Sequence, residues 1–379
     1  MTVQTTTVVA PGELGVAELN RWRELQATDP ALDSAFLAPA FAQLVARWRP
    51  SVRVAVVEQQ GRIVAFFPYE RGRYGRARAL AAGLSDAQGI IVAHGTQLDV
   101  VAMLRACGQR LWEFDHLVLG QGALLAGVPA HVAQDRSQTI DLSEGLESWL
   151  ATLRSRSGSL VAATARKRRK LEREIGALQF VADAPDHGLL DRLMDLKSDQ
   201  YRRTGRRDRF TSRSTVGLLH DLLDLRDEDC AGVFSYLAVG DRLVAAHMGL
   251  RTRSTLAWWF PVYDPAFSRW SPGMSLVMEI ARMADDAGMT SIDLGRGDES
   301  FKTRLSNAER PLLAGHVATS RLGSSVERAQ HWPAETLTGL VLGSPALRRQ
   351  AREALVRAGS VRSALVGRRR GASVQARMR

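Results

Sequence analysis

Carboxylates, glycines and a lysine are concentrated in the stretch "IDLGRGDESFK", residues 292–302. A carboxylate at Asp293 or Asp298 has the chemistry to accept a proton, and the ammonium group of Lys302 can stabilise negative charge on a neighbouring atom. The spacing also suits a surface ion pair between Asp298 and Lys302, which would contribute little stability. The stretch is therefore a candidate catalytic loop, with a surface ion pair as the alternative.

The segment before this loop starts with Ser271-Pro272-Gly273 and has the apolar spacing of a helix. Proline suits the first helical position, serine is a favourable N-cap, and Gly288 provides a stop. The free N–H groups at the helix start point beyond Gly273, where the missing side chain lets an anion approach the backbone. The pattern predicts an anion site; a helix start that serves capping alone is the alternative.

Two β meanders precede these elements and resemble each other. "VRVAVVEQQGRIVAFFPYE" and "GVFSYLAVGDRLVAAHMGL" each contain two apolar runs joined by a tight glycine turn, which is typical of a β-hairpin. Helical patterns surround both hairpins, and a third apolar run follows each one. This internal repeat predicts two copies of one α/β unit, each with helices on the faces of a mixed sheet. We place the division in the polar stretch near residue 145, with lobes at 1–145 and 146–320 and a tail at 321–379.

Basic and aromatic residues offer candidate acceptor contacts. The run 166–170, "RKRRK", lies in a helical pattern, and Arg166 and Arg169 in it suit an anionic acceptor. A solvated helix face is the alternative. Trp258 and Trp259 are adjacent in the strand pattern "STLAWWFPVY", so one is expected in the core and the other at an acceptor cleft, where an aromatic face suits a sugar or a base.

The order of hairpin, strand, Ser-Pro-Gly helix and strand resembles the acyl-CoA site of the GNAT acetyltransferase fold. The segment from about residue 150 to 310 resembles the CelD/BcsL type of that superfamily, which is associated with cellulose and exopolysaccharide biosynthesis. In that type the Ser-Pro-Gly helix start is followed by a glycine-rich acidic segment that ends in lysine. The residues that match this segment in order are Asp293, Gly295, Gly297, Asp298, Phe301 and Lys302. The chain departs from the pattern in two respects: Phe301 stands where many relatives carry tyrosine, and the usual glycine-rich phosphate loop of GNAT enzymes is missing.

The resemblance implies a fold, a donor and roles for particular residues. The fold is an α/β fold with a mixed α+β sheet, built from two tandem GNAT-like lobes in a Fem-like arrangement. The implied co-substrate is acetyl-CoA or another acyl-CoA, and the implied reaction is N- or O-acyl transfer with Asp293, Asp298 and Lys302 as catalytic residues. The implied donor contacts are Pro261, Val262, Ser271, Pro272, Gly273, Met274 and Ser275.

Charge and composition bear on four other properties: nucleic-acid binding, membrane contact, metal binding and secretion. The net charge of +11 is concentrated at the C-terminus, where ten arginines and one glutamate follow Gly343. A nearly neutral body of this kind does not indicate a continuous nucleic-acid-binding face. The tail has apolar residues at helical spacing between its arginines, which suits an anionic membrane surface; a solvated extension is the alternative. The eight histidines and two cysteines show no metal-ligand spacing, and no signal peptide or membrane span is evident. We therefore expect a cytoplasmic protein without a metal, with peripheral contact at the inner membrane face if the tail binds lipid.

The preferred interpretation is a two-lobed acyltransferase whose acceptor is a sugar, a nucleotide sugar or another cell-envelope precursor, with the N-terminal lobe shaping the acceptor cleft. Two rivals stay open. The first is a Fem-like transferase that uses aminoacyl-tRNA, with the basic helix contacting RNA phosphates. The second is a scaffold of polysaccharide biosynthesis that has the fold without the activity.

Overall fold

The computed structural model describes residues 3–93, 95–156, 158–297 and 299–320. Asp298 and the predicted tail at 321–379 therefore lie outside the described residues. Within the described part, helices alternate with strands in both halves of the chain. The helices are α1 Val16–Ala27, α2 Pro39–Trp48, α3 Val100–Ala106, α4 Leu146–Arg156, α5 Leu160–Glu174, α6 His187–Thr204, α7 Arg213–Asp224, α8 Pro272–Asp286 and α9 Ser300–Leu305.

All the strands of the described residues join one mixed sheet. The strands are β1 Gln4–Val9, β2 Val52–Gln59, β3 Arg62–Arg71, β4 Arg76–Arg78, β5 Ile91–Val92, β6 Leu111–Val118, β7 Ala130–Asp141, β8 Gln179–Val181, β9 Ala231–Val239, β10 Arg242–Arg251, β11 Thr255–Tyr263, β12 Ser291–Arg296 and β13 Ala308–Ala318. Their order is β1-β2-β3-β4-β6-β13-β7-β12-β11-β10-β9-β8, with β5 paired to β3. The sheet confirms the predicted mixed α/β architecture.

The predicted hairpins are both present. β2 pairs with β3 around the turn at Gln60-Gly61, and β9 pairs with β10 around Gly240-Asp241. Residues 60, 61 and 240 have positive φ angles, which the tight turns require. The alternating sequence therefore determined these two units correctly, because each is a local structure with its register fixed by its turn.

The two halves exchange strands in the middle of the sheet. β7, from the N-terminal half, pairs with β12, and β13, from the C-terminal end of the described chain, lies between β6 and β7. A division of the chain near residue 145 thus separates β7 from β12 and β13, both of its partners. As a result, strands of each half find part of their hydrogen-bond partners in the other half.

Helices cover both faces of the sheet. The pairs α1–α2 and α6–α7 share one apolar core, to which Phe41, Phe66, Leu219 and Phe234 contribute. On the opposite face, α4, α5 and α8 bury a second core against β9–β12, and α3 closes a third core over the N-terminal strands. Because the first core is continuous across both halves, it fixes the N-terminal loops relative to β11.

Candidate active site

The parallel strands β11 and β12 pair over a short stretch and then separate. Their register comprises three residue pairs, the last of which is Ala257 with Asp293. Beyond this point β11 continues to Tyr263 alongside β10, while Arg296 of β12 pairs with Ser137 of β7. Backbone groups on one edge of β11 therefore have no strand neighbour within the described residues. A gap between two diverging strands can accept an extended ligand that forms amide hydrogen bonds.

Asp293 lies where the two strands part, and both oxygens of its carboxylate have polar partners. Its Oδ1 accepts hydrogen bonds from the Ser137 hydroxyl and from the Gly295 N–H, the latter at 2.9 Å. Its Oδ2 lies 3.5 Å from Nη1 of Arg310. Asp293 is 7% exposed, so these contacts tie β7, β12 and β13 together at the base of the gap. The geometry favours a positioning role for this predicted catalytic residue.

Lys302, in α9, is fixed at the end of β12. Its Nζ donates hydrogen bonds to the carbonyl oxygens of Gly295 at 3.2 Å and Arg296 at 2.8 Å, and it lies 3.3 Å from Oε2 of Glu299. The side chain is buried, unlike that of the surface pair considered from the sequence. Although burial opposes the effect, the Lys302 ammonium lowers the pKa of Glu299, which keeps the pair charged. Lys302 thus places a fixed positive charge at the mouth of the gap.

Asp86, from the N-terminal half, faces this charge. Its Oδ2 lies 3.6 Å from the position that a Cβ atom on Gly295 would occupy, and Nζ of Lys302 lies 3.7 Å from the same point. Burial raises the pKa of Asp86 to about 6; His116 opposes the shift and Asp293 adds to it. Nε2 of His116 is 3.9 Å from Oδ1 of Asp86. A carboxylate with a pKa near 6 and a side chain still 30% exposed suits general-base chemistry.

The sequence analysis missed Asp86 as a site residue. It lies in "AAGLSDAQG", a segment whose apolar members Leu80, Leu84 and Ala87 are buried. A single acid within an otherwise apolar loop is a usable signal in the sequence, because its apolar neighbours draw the carboxylate toward the core, where a charge needs an explanation.

Lys197, in α6, is a second missed residue. Its Nζ donates a hydrogen bond of 2.6 Å to the carbonyl oxygen of Pro261, on the β11 side of the gap. Burial lowers the pKa of Lys197 to about 8, and the nearby positive charges of Arg206 and Lys302 add to the shift. The two lysine ammonium groups therefore lie on opposite sides of the gap: Lys197 is bound to a carbonyl of β11 and Lys302 to carbonyls at the end of β12.

The helix predicted to bind an anion begins at Pro272, as expected. The predicted capping by the Ser271 side chain, however, is not found. Ser271 occupies the N-cap position with φ +52°, and its side chain makes no capping hydrogen bond. Its hydroxyl instead accepts a hydrogen bond of 2.8 Å from Nζ of Lys167. A Cβ on Gly273 would make an ordinary van der Waals contact of 3.7 Å with the Tyr263 ring, so nothing crowds the backbone at this residue. The remaining predicted donor residues are Pro261 and Val262 at the end of β11 and Met274 and Ser275 in the first turns of α8.

The basic run 166–170 lies in α5, which packs beside α8. Arg168 pairs with Glu172 and with Glu279 of α8, and Lys167 reaches the helix start. Arg166 and Arg169 lie on the exposed face of α5. The run therefore lies beside the start of α8, and the acceptor role of Arg166 and Arg169 stays a prediction.

Both tryptophans are largely buried. Trp258 is 5% exposed and stacks on His247 with ring centroids 4.3 Å apart. Trp259 is 8% exposed and its Nε1 donates a hydrogen bond of 2.8 Å to the carbonyl oxygen of Leu84. Trp259 therefore connects β11 to the loop that carries Asp86, which fixes that carboxylate relative to the gap.

The described residues contain neither a membrane-spanning helix nor a metal-binding cluster. Among them, none of the helices combines the length and the apolar character that crossing a membrane requires. The same part of the chain contains no cluster of three or more histidine, cysteine, aspartate or glutamate side chains arranged to hold a metal ion.

Comparisons with known proteins identify the fold. Residues 159–303 match the family of the acetyltransferase (GNAT) domain. A tandem GNAT protein from the clavulanic acid biosynthesis pathway shares 11% identity over 84% of this chain and 99% of its own, with a TM-score of 0.50. FemX shares 9% identity over 83% and 98%, with a TM-score of 0.55, and L-PGS from Bacillus licheniformis 11% over 84% and 96%, with a TM-score of 0.51. No curated protein matches the sequence. The chain has a tandem GNAT-like fold.

Proposed function

We propose that this protein is an acyltransferase that uses an acyl-CoA as donor. The observation that carries the proposal is the gap between β11 and β12, with Asp86 and Lys302 at its mouth. The match of residues 159–303 to the acetyltransferase (GNAT) domain supports the same class of reaction. The acyl-CoA enters as a co-substrate and leaves as the free thiol.

The donor is proposed to lie along β11 and to end at the start of α8. The unpaired edge of β11, including Pro261 and Val262, suits the amides of an extended pantetheine arm. The first turn of α8 offers free N–H groups to a pyrophosphate, and Gly273 leaves space for it. Lys167 adds a positive charge 2.8 Å from the Ser271 hydroxyl. In this proposal the phosphates lie at one end of the gap and the thioester at the other, which these features support.

Asp86 is proposed to remove the proton from the acceptor. The acceptor nitrogen or oxygen then forms a bond to the thioester carbonyl carbon, and the C–S bond breaks. The protonated Asp86 returns the proton to the departing sulfur, so the reaction consumes no other reagent. Lys302 fixes the end of β12 and adds a positive charge where negative charge develops. Asp298, in the same loop, stays a proposed participant.

The acceptor is proposed to be a sugar, a nucleotide sugar or another cell-envelope precursor, in line with the CelD/BcsL resemblance. The predicted acceptor residues Arg166, Arg169, Trp258 and Trp259 stay part of this proposal, with the arginines now beside the donor. The proposed setting is the cytoplasm, with the basic tail contacting the inner face of the membrane. Under the alternative, suggested by the FemX-like fold, the donor is an aminoacyl-tRNA.

The first experiment is calorimetric titration of acetyl-CoA into three proteins: the wild type, Gly273→Glu and Ala287→Glu. Both variants add a carboxylate to α8, the first at its N-terminal end and the second at its exposed C-terminal end. We expect micromolar binding to the wild type and to Ala287→Glu, and none to Gly273→Glu. Absence of binding to all three, together with transfer from a charged tRNA, would overturn the proposal in favour of the alternative.

A second measurement tests turnover. Release of the CoA thiol is followed while amino sugars, nucleotide sugars and polyols are supplied as acceptors. An acceptor that raises thiol release above the rate in water identifies the substrate class. Binding of acetyl-CoA without thiol release for any acceptor, including water, would favour the scaffold interpretation.

A further inference from the structure

Lys197 is a half-buried lysine that has no acidic partner among the residues the structure describes. Among the described residues no carboxylate forms an ion pair with its Nζ, and its one hydrogen bond goes to the neutral carbonyl of Pro261. The positively charged Arg206 and Lys302 lie near enough to disfavour its ammonium form, and Glu299 offsets them in part. A buried charge usually persists in a protein because an opposite charge compensates it.

The missing negative charge points to a ligand. Lys197 lies on the β11 side of the gap and Lys302 on the β12 side, bound to the carbonyl oxygens of Gly295 and Arg296. Lys302 has its compensating acid in Glu299, at 3.3 Å, whereas no carboxylate in the described part of the chain pairs with Lys197. An ammonium group has three N–H donors, and the Pro261 carbonyl takes one of them. Two donors of Lys197 therefore stay available to a group that enters the gap.

We propose that Lys197 binds the carbonyl oxygen of the donor thioester and stabilises the negative charge that develops on it, an inference that rests on the proposed acyltransferase function. When the acceptor adds to the carbonyl carbon, the electron pair of the C=O bond moves to oxygen, and the Lys197 ammonium donates a hydrogen bond to it. The proton stays on Nζ throughout. When the C=O bond re-forms, the C–S bond breaks and Lys197 returns to its starting state.

Such a role is catalytic and distinct from a packing role. A donor aimed at the developing oxyanion accelerates the reaction without binding the ground state equally well. The Pro261 carbonyl holds the amine in place, so little reorganisation is needed when the charge appears. Burial lowers the pKa of Lys197 to about 8, which leaves the amine protonated and able to donate at neutral pH.

The test uses acetyl-CoA labelled with ¹³C at the carbonyl carbon, with wild type, Lys197→Met and Lys170→Met. Methionine is close in size to lysine and suits a buried position, and Lys170 is an exposed lysine of α5 with its ammonium 3.7 Å from Glu174. In the wild type we expect the bound carbonyl resonance to shift downfield of free acetyl-CoA. Lys197→Met should return it toward the free value and lower the rate of thiol release roughly 100-fold. The Kd for acetyl-CoA should change less than about threefold, because the lost contact forms mainly in the transition state.

Each outcome decides between interpretations. Absence of acetyl-CoA binding to the wild type overturns the proposed function, and this inference with it. Normal binding and thiol release in Lys197→Met, with an unchanged resonance, overturns the inference alone and leaves the proposed function standing. An acyl group found covalently on Lys197 by mass spectrometry also overturns it, because the amine would then act as a nucleophile. Should Lys197→Met not fold, Lys197→Gln, which keeps a hydrogen-bond donor without the charge, is expected to show an intermediate resonance and an intermediate rate.

Discussion

Asp86 and Lys302, 216 positions apart in the sequence, meet above a single glycine at the end of β12. The carboxylate oxygen and the amine nitrogen lie 3.6 and 3.7 Å from the point where a Cβ on Gly295 would be. The proximity follows from the shared core and from the Trp259 hydrogen bond to Leu84, which hold the N-terminal loop against the C-terminal strands. The proposed base, Asp86, and the cation, Lys302, come from opposite halves of the chain. The proposed reaction therefore occurs in the gap beside them.

Gly295→Ala tests this juxtaposition. The added methyl group would lie between the carboxylate and the amine, at a residue whose φ is +79°. We expect thiol release to fall roughly 100-fold, because small misplacements of reacting groups have effects of that size. The left-handed conformation alone would lower the free energy of unfolding by about 1–2 kcal/mol. Gly288→Ala is the control, since it has φ +73° and open space around its Cβ. Equal losses of activity in the two variants would contradict the assignment.

Asp86→Asn tests the proposed base. We expect activity to fall roughly 100-fold or more, the usual contribution of a general base. The wild-type rate should rise with pH through about 6, where Asp86 ionises, and the variant should lack this step. Asp241→Asn, in the exposed turn between β9 and β10, is the control and should keep the wild-type profile. A wild-type pH profile in Asp86→Asn would rule out this residue as the base.

The same substitution has a predictable effect on stability. Burial raises the pKa of Asp86 in the folded state, so the ionised carboxylate lowers the free energy of unfolding at pH values above about 6. Below the unfolded-state pKa the carboxyl is protonated in both states and this cost disappears. Asp86→Asn should therefore melt at a higher temperature than the wild type at pH 8, with a smaller difference at pH 4. A melting difference that does not depend on pH would contradict the raised pKa.

Lys167→Ala tests the donor side. Loss of the amine beside Ser271 should raise the Kd for acetyl-CoA roughly tenfold, as expected for one hydrogen bond to a charged group, with little effect on the rate at saturation. Lys170→Ala, which removes the same charge from an exposed position of the same helix, should leave the Kd unchanged. Similar weakening in both variants would indicate a general effect of charge on α5 and no specific contact.

Gly315→Ala tests the strand exchange. A Cβ at this residue of β13 would lie 2.0 Å from the carbonyl oxygen of His131 in β7, which the paired backbones cannot accommodate. We expect the free energy of unfolding to fall by about 3 kcal/mol, the upper end for forced overpacking. Because β13, from the C-terminal half, pairs with β6 and β7 of the N-terminal half, unfolding should remain a single transition in denaturant. Gly122→Ala, whose Cβ would make an ordinary contact of 3.5 Å with Leu313, is the control. Separate transitions for the two halves would contradict the shared sheet.

The local elements followed from the sequence. The two hairpins, the helix that starts at Pro272 and the strand that follows it are present where the pattern predicted them. Each of them is specified by turn residues, caps and apolar spacing within about 20 residues, and these act mainly between neighbours in the chain. The tandem GNAT-like fold could be predicted for the same reason, since its signature is an order of local elements.

The site required the tertiary structure. β7 and β13 pair although the first partners in their register, Thr139 and Ala308, lie 169 positions apart in the sequence, and no periodicity predicts that pairing. Asp86 and Lys197 appear in the sequence as an isolated acid and one of many lysines. Their significance comes from burial and from the strands they face, both of which are long-range properties.

The sequence by itself determined the fold class, the helix start at Ser271-Pro272-Gly273 and the position of Lys302 at the end of a strand. The tertiary structure decided which groups share the gap: Asp86 across from Lys302, Lys197 beside Pro261, and the basic helix α5 beside α8. The physical reason is that backbone conformation depends on adjacent residues, whereas the protonation and the role of a side chain depend on the charges and the solvent around it in space.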